Sequence, residues 1–196
     1  MRFALLLVCA TLSAQTPAPG RGVNFYSIEK EKALGAQVAA ALGLPFAFAS
    51  HFAPAMMMQA MDIYRARFQP SVQLDRPYVM LGFNVFAAES DAEARFLATS
   101  MQQAFVNLRS GRPMQLPPPI DGYESQLPPS AKALLADVLT CSAVGSPETV
   151  RNSLVAFIER TRPDELMITA QIFDHAARLR SYEIAADIRK SLAAKA

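Results

Sequence analysis

Few polar side chains interrupt the apolar runs of this chain, and three stand where α/β proteins do chemistry. Ser50 and His51 close the run Gly43-Leu-Pro-Phe-Ala-Phe-Ala-Ser-His-Phe-Ala-Pro54, directly after an apolar stretch from Phe46 to Ala49. Gln171 lies in a second run, two residues beyond Thr169, and side chains two apart on a strand point the same way. A hydroxyl, an imidazole and a carboxamide at strand ends can hydrogen-bond a cofactor ring or a substrate. They can equally cap strand ends and satisfy nearby backbone groups, and the sequence leaves both readings open. Asp174 and His175 are adjacent but open a helix, where capping is the simpler role.

Other chemistries lack their residues. There is no Ser–His–Asp or Cys–His spacing and no Gly-rich phosphate loop of the GxGxxG or Walker type. The two cysteines, Cys9 and Cys141, are far apart and belong to no partner motif, so neither a disulfide framework nor a zinc site is expected. Cys141 reads as a small buried hydrophobe. Two histidines, His51 and His175, do not make a multi-histidine metal centre, and Met56-Met-Met58 reads as helix packing. Nineteen basic against seventeen acidic residues leave a charge of +2, too small and dispersed for a nucleic-acid or anionic-membrane partner.

The elements that must position these groups follow from periodicity. Hydrophobic residues make up 52% of the 196 positions, enough to bury the core of one ordinary domain. Leu34 to Leu42 reads as a helix stopped by Gly43 and Pro45. Phe46–Ala49, Tyr78–Phe86 and Leu166–Phe173 read as strands apolar on both faces, the signature of buried parallel strands. Helices are predicted from about Pro54 to Phe68, from Asp91 through Leu108, from Ala131 to Leu139, after Ser146-Pro147-Glu148, and from His175 to Ala193. The Ser146 start combines a capping hydroxyl, proline at the first position and an acid against the positive helix end. Residues 110–130 hold six of the fourteen prolines and read as an irregular excursion that does not pack. Alternating strands and helices imply parallel strands with right-handed crossovers. The fold class is therefore α/β, part of a (β/α)8 barrel with outer helices, because three clear strands cannot close a ring of eight.

The start of the chain is of a different kind. Met1-Arg2 and the apolar run Phe3 to Leu12 resemble a secretory signal, and Gln15 to Gly22 reads as a Pro/Gly linker. Residues 1–22 are thus expected to be a signal-like or non-family segment, and 23–196 the barrel part. The apolar run is too short to span a bilayer.

Six runs together resemble the bacterial-luciferase-like family of flavin-dependent monooxygenases. They are Gly43–Pro54, Tyr78–Ala88, Thr99-Ser-Met-Gln-Gln-Ala-Phe105, Gln115-Leu-Pro-Pro-Pro119, Val144-Gly-Ser-Pro-Glu-Thr-Val150 and Glu165–Ile184. The resemblance covers the last third to half of such an enzyme. It implies a barrel that uses reduced FMN (in some branches F420) and O2 on a small organic substrate, with a flavin reductase as companion and a cytoplasmic location. The signal-like start points instead to secretion. Ser50, His51 and Gln171 would then line the barrel mouth, with the cofactor phosphate near Gly35. Two family features have no counterpart: the N-terminal barrel half, and the Gly-Ser-Ser phosphate anchor, where this chain has Ile28-Glu-Lys-Glu-Lys32. Losing two charge-assisted hydrogen bonds weakens a phosphate by about a hundred- to ten-thousand-fold. Glu31 adds repulsion, which Lys30 or Lys32 offsets in part. Two functions remain in view: a flavin-dependent monooxygenase, and a truncated, secreted or partner-dependent domain that has lost the flavin site. Open strand edges are expected to drive self-association.

Overall fold

The computed structural model describes residues 28–194; the signal-like segment, the linker and Cys9 lie outside the described residues. So do the side chains of Lys30, Glu31 and Lys32, on which the phosphate argument rests. A single strand organises what is described. β2 (Val79–Ala87) is buried along nearly its whole length and has paired strands on both edges. β1 (Phe46–Phe48) pairs with residues 79–81, β4 (Glu165–Thr169) with 80–84, and β3 (Ser142–Gly145) with 84–87, every ladder parallel. The three strands read from the sequence are therefore neighbours, with β2 in the middle.

Two expectations need correction. A fourth strand exists: Ser142–Gly145 is too short and too mixed in composition to announce itself, and it is a strand because β2 offers it a ladder. The strand expected over Leu166–Phe173 ends at Thr169. Beyond it the Ala170 N–H donates to the Tyr182 hydroxyl, and Ile172 is fully buried away from the ladder. The apolar residues continue, but the chain has already turned, so Gln171 lies past the strand and not within it.

Alternation along β2 divides the molecule. Val79, Leu81, Phe83, Val85 and Ala87 enter one core with residues of α1 (Ile28–Ala41), α2 (Met57–Arg67), α5 (Pro147–Thr161) and α6 (His175–Ala193). Phe83 packs on Phe157 with ring centroids 4.5 Å apart. Tyr64 is fully buried there because its hydroxyl is satisfied twice, donating to the Leu44 carbonyl and accepting from the Tyr78 N–H. The opposite face carries Met80, Gly82 and Asn84, flanked in register by Ala47 of β1 and Met167 of β4. Ala47 is exposed and Met167 is 50% exposed, so this face has no second layer among the described residues. The strands form an open arc.

A second cluster caps the carboxyl end of that arc. Phe86, Ala170 and Ile172 meet Leu97, Met101 and Phe105 of α3 (Asp91–Arg109) and Leu135 and Val138 of α4 (Pro129–Val138). The proline-rich excursion is not loose, contrary to expectation. Thr99 Oγ1 accepts from the Ile120 N–H, Gln103 Nε2 donates to the Pro118 carbonyl, and Gln102 Nε2 donates to Glu124. Prolines leave a segment short of internal partners, and a polar stripe on α3 supplies them. The segment also forms a 3₁₀ turn at Tyr123–Gln126 before α4 begins.

The helix ends follow local rules. Ser90, Ser146 and Asp174 each accept a backbone N–H three residues on. Asp174 is thus a cap and no part of a catalytic relay. Gly43 stops α1 at φ +60°, where a Cβ would stand 2.5 Å from Ser71 Cβ. Asp91 also accepts from the Ser146 N–H at 2.7 Å, tying the start of α3 to that of α5.

Three outcomes are expected. Phe83→Ala should cost about 3–5 kcal/mol in urea unfolding, whereas Met167→Ala on the open face should stay within about 0.5 kcal/mol. The Ser146 backbone N–H, then the Thr149 and Ser146 hydroxyls, hold the Asp91 carboxyl below its ordinary value. Its contribution is present above the unfolded-state value and lost as pH falls through the folded one. Asp91→Asn should therefore flatten the acid limb of the stability–pH curve.

Candidate functional site

The site is built at the carboxyl ends of the parallel strands, where barrel proteins place their chemistry. Ser50 ends β1 fully buried, and its Oγ donates to the Gly82 carbonyl at 2.6 Å. That bond clasps the end of β1 to the middle of β2. His51 follows, and its ring lies directly on Gly82: a Cβ added there would be 1.9 Å from His51 Nδ1. Only glycine at this position lets an imidazole rest on the strand.

Two residues farther along, Asn84 is 1% exposed, a carboxamide in an otherwise apolar strand. Its Nδ2 donates to the His51 carbonyl at 2.8 Å and to Ser142 Oγ at 3.3 Å. Its Oδ1 accepts from Thr169 Oγ1 at 2.6 Å. One side chain therefore ties the loop after β1, the start of β3 and the end of β4 to β2. Burial of such a group is tolerated because both ends of the amide are satisfied.

A cleft of about 150 Å³ opens beside this node, lined by His51, Asn84 and Gln171 among apolar groups that include Phe52, Met101 and Phe105. His51 Nδ1 is enclosed and makes no hydrogen bond among the described residues, and burial lowers the ring's affinity for a proton. The neutral imidazole thus has an uncommitted nitrogen, able to donate or accept a hydrogen bond or to move a proton. Burial raises the Cys141 thiol and removes it from consideration as a nucleophile.

The fold brings His51 and Gln171 to one cleft, with Ser50 just behind, its hydroxyl proton committed to the Gly82 carbonyl. Thr169 turns to Asn84 rather than to the cleft. Gly35 stands apart: it lies on the exposed side of α1, where an added Cβ would meet nothing within 4 Å. Asn84 and Gly82 are the residues that sequence reasoning passed over. Both were visible as the non-hydrophobic positions in the Tyr78–Phe86 run, read there simply as apolar.

Substitutions at the node should separate these roles. Asn84→Ala leaves a carbonyl and two hydroxyls short of a partner and should cost about 2–4 kcal/mol. Gly82→Ala should displace the His51 ring, visible as a shift of its NMR signals toward those of an exposed imidazole. Burial lowers the folded-state pKa of His51 below the 6.5 of an exposed imidazole, which the ring regains when unfolded. Stability should therefore fall as pH drops below about 6.5, and His51→Gln should remove that part of the slope.

The luciferase-like monooxygenase family model matches residues 31–165. A luciferase-like monooxygenase of Escherichia coli (strain K12) is 47% identical over 177 residues, covering 90% of this chain and 53% of the relative. The uncharacterized protein YvbT of Bacillus subtilis (strain 168) is 41% identical over 174 residues, covering 88% of this chain and 52% of its own length. Among solved structures, apo-MsnO8 superposes with a TM-score of 0.66 at 31% identity, over 81% of this chain and 48% of that one. The chain spans about half the length of the curated relatives it matches. The described β/α units are accordingly part of a barrel and not a closed one. On sequence and on fold alike, this chain belongs to the luciferase-like monooxygenase family.

Proposed function

We propose that this chain contributes the carboxyl-terminal wall of a flavin-dependent monooxygenase site, acting with reduced FMN and O2 on a small organic substrate. The observation that carries the reading is the uncommitted His51 Nδ1, held on Gly82 beside Gln171 at the strand ends. A buried polar atom without a partner costs about 1–3 kcal/mol, so the ring is held there at a cost to stability. When bound, reduced FMN supplies the electrons with which O2 is activated. The chain's own part is orientation and proton handling. Asn84 fixes the backbone of His51, Gly82 sets the height of its ring, and Gln171 offers a second donor and acceptor at the same mouth. The neutral imidazole lines the cleft with the apolar Phe52, Met101 and Phe105 and can give or take a proton there.

The described residues fit one side of such a site. A cleft of about 150 Å³ is smaller than the roughly 300–1,000 Å³ of ordinary ligand pockets. A flavin ring would lie against the open face of the sheet and need a second wall. This favours keeping the competing reading, a family domain that retains the packing and does not hold the cofactor. F420 is the less favoured cofactor.

FMN titration of the full chain, followed by flavin fluorescence, tests the choice. We expect saturable binding weaker than about 1 μM, because one wall and the phosphate anchor contribute little. His51→Ala or Gln171→Ala should weaken it a further ten-fold or so. No saturable binding, or binding indifferent to both substitutions, would establish the competing reading.

A further inference from the structure

We infer that the cleft beside His51 is an anion-selective subsite, with Arg109 recognising the carboxylate of a small organic acid whose apolar body fills the cleft. Phe52 and Phe105 line the cleft and meet edge to face, ring centroids 6.0 Å apart at 77°. The Arg109 guanidinium lies over both rings, 5.7 Å from the Phe52 centroid and 5.0 Å from that of Phe105. Both distances are within cation–π range. Arg109 makes no hydrogen bond or ion pair among the described residues, so its N–H edges are uncommitted.

The simpler role for a cation in the last turn of α3 is to satisfy the helix's last carbonyls. Backbone groups already do this: the Ser110 N–H bonds the Val106 and Asn107 carbonyls, and the Gly111 N–H bonds that of Leu108. Arg109 is exposed, and its guanidinium sits against two rings of the cleft wall. A planar, bidentate anion matches the guanidinium fork, which a point charge such as lysine does not offer. Met101, Leu108, Met114 and Val138 give the cleft apolar walls, and Asn84 joins His51 and Gln171 as its polar lining. An apolar cavity of about 150 Å³ holds a benzene ring, so the volume suits a body of one ring or a few carbons. The His51 ring and Gln171, which also line the cleft, then meet a polar substituent or the reacting end of that body.

The inference rests on the cleft being a ligand site and not on the flavin, so it is tested with probes that contain none. The full chain is titrated with benzoate and with benzamide, its neutral isostere, following the His51 imidazole and phenylalanine ring signals by NMR. We expect benzoate to shift both sets saturably and to bind at least about ten-fold more tightly than benzamide, the size of one charge-assisted pair. Arg109→Gln, at an exposed position and checked for folding by circular dichroism, should erase that preference while leaving benzamide within about two-fold. Arg109→Lys should restore only part of it. Equal affinities, a preference that survives Arg109→Gln, no saturable shift, or displacement of benzoate by equimolar inorganic phosphate would each overturn the inference. Failure of FMN to bind, with the benzoate preference intact, would remove the flavin reading and leave this one standing.

Discussion

The arrangement depends on a constraint at the centre of β2. At 1% exposure Asn84 has no access to water, so its carboxamide must find protein partners for both ends of the amide. Asn84 finds three, and they belong to three different elements: the loop after β1, the start of β3 and the end of β4. Meeting the hydrogen-bonding demand of one buried group thereby converges the strand ends. Gly82, one pleat earlier on the same face, applies a steric version of the same idea, since the missing side chain is the space His51 occupies. Polar satisfaction and empty volume, two residues apart, place the imidazole.

The two faces of β2 do different work. The odd-numbered residues reach a helix-covered core that supplies cohesion. The even-numbered face carries Gly82 and Asn84 of the candidate site and receives less cover: Ala47 and Met167 remain open to solvent beside it. A barrel needs this division, because its inward face becomes the site only when strands from the rest of the ring stand opposite. A chain spanning half the length of its relatives shows the division without the closure.

The second cluster and the proline-rich excursion complete one side of the cleft. Thr99, Gln102 and Gln103 on α3 give the excursion the hydrogen bonds it cannot make within itself. Its leading residues, Pro113 and Met114, can then line the cleft with the last turns of α3. The same helix end carries Arg109 over Phe52 and Phe105, so recognition at the rim and anchoring of the excursion share one rigid element.

Local chemistry was legible in the sequence. Helix starts at Asp91 and Pro147, the stop at Gly43, the capping role of Asp174 and the parallel character of three apolar runs all depend on residues within a few positions of one another. So did the candidacy of His51 and Gln171, polar groups at the ends of apolar runs. The runs that resemble the luciferase-like family were legible for another reason, since they preserve residue identity and not merely pattern. Other features depended on partners distant in the chain. Ser142–Gly145 is a strand only because β2 lies beside it, and the strand before Gln171 ends at Thr169 because Tyr182 and the second cluster draw the chain away. The commitment of Ser50 to the Gly82 carbonyl spans 32 residues, and the bond from Thr169 to Asn84 spans 85. A hydroxyl or carboxamide has the same composition whether it faces a ligand or a backbone carbonyl. Sequence therefore determined which groups were available, and tertiary packing decided which remained uncommitted.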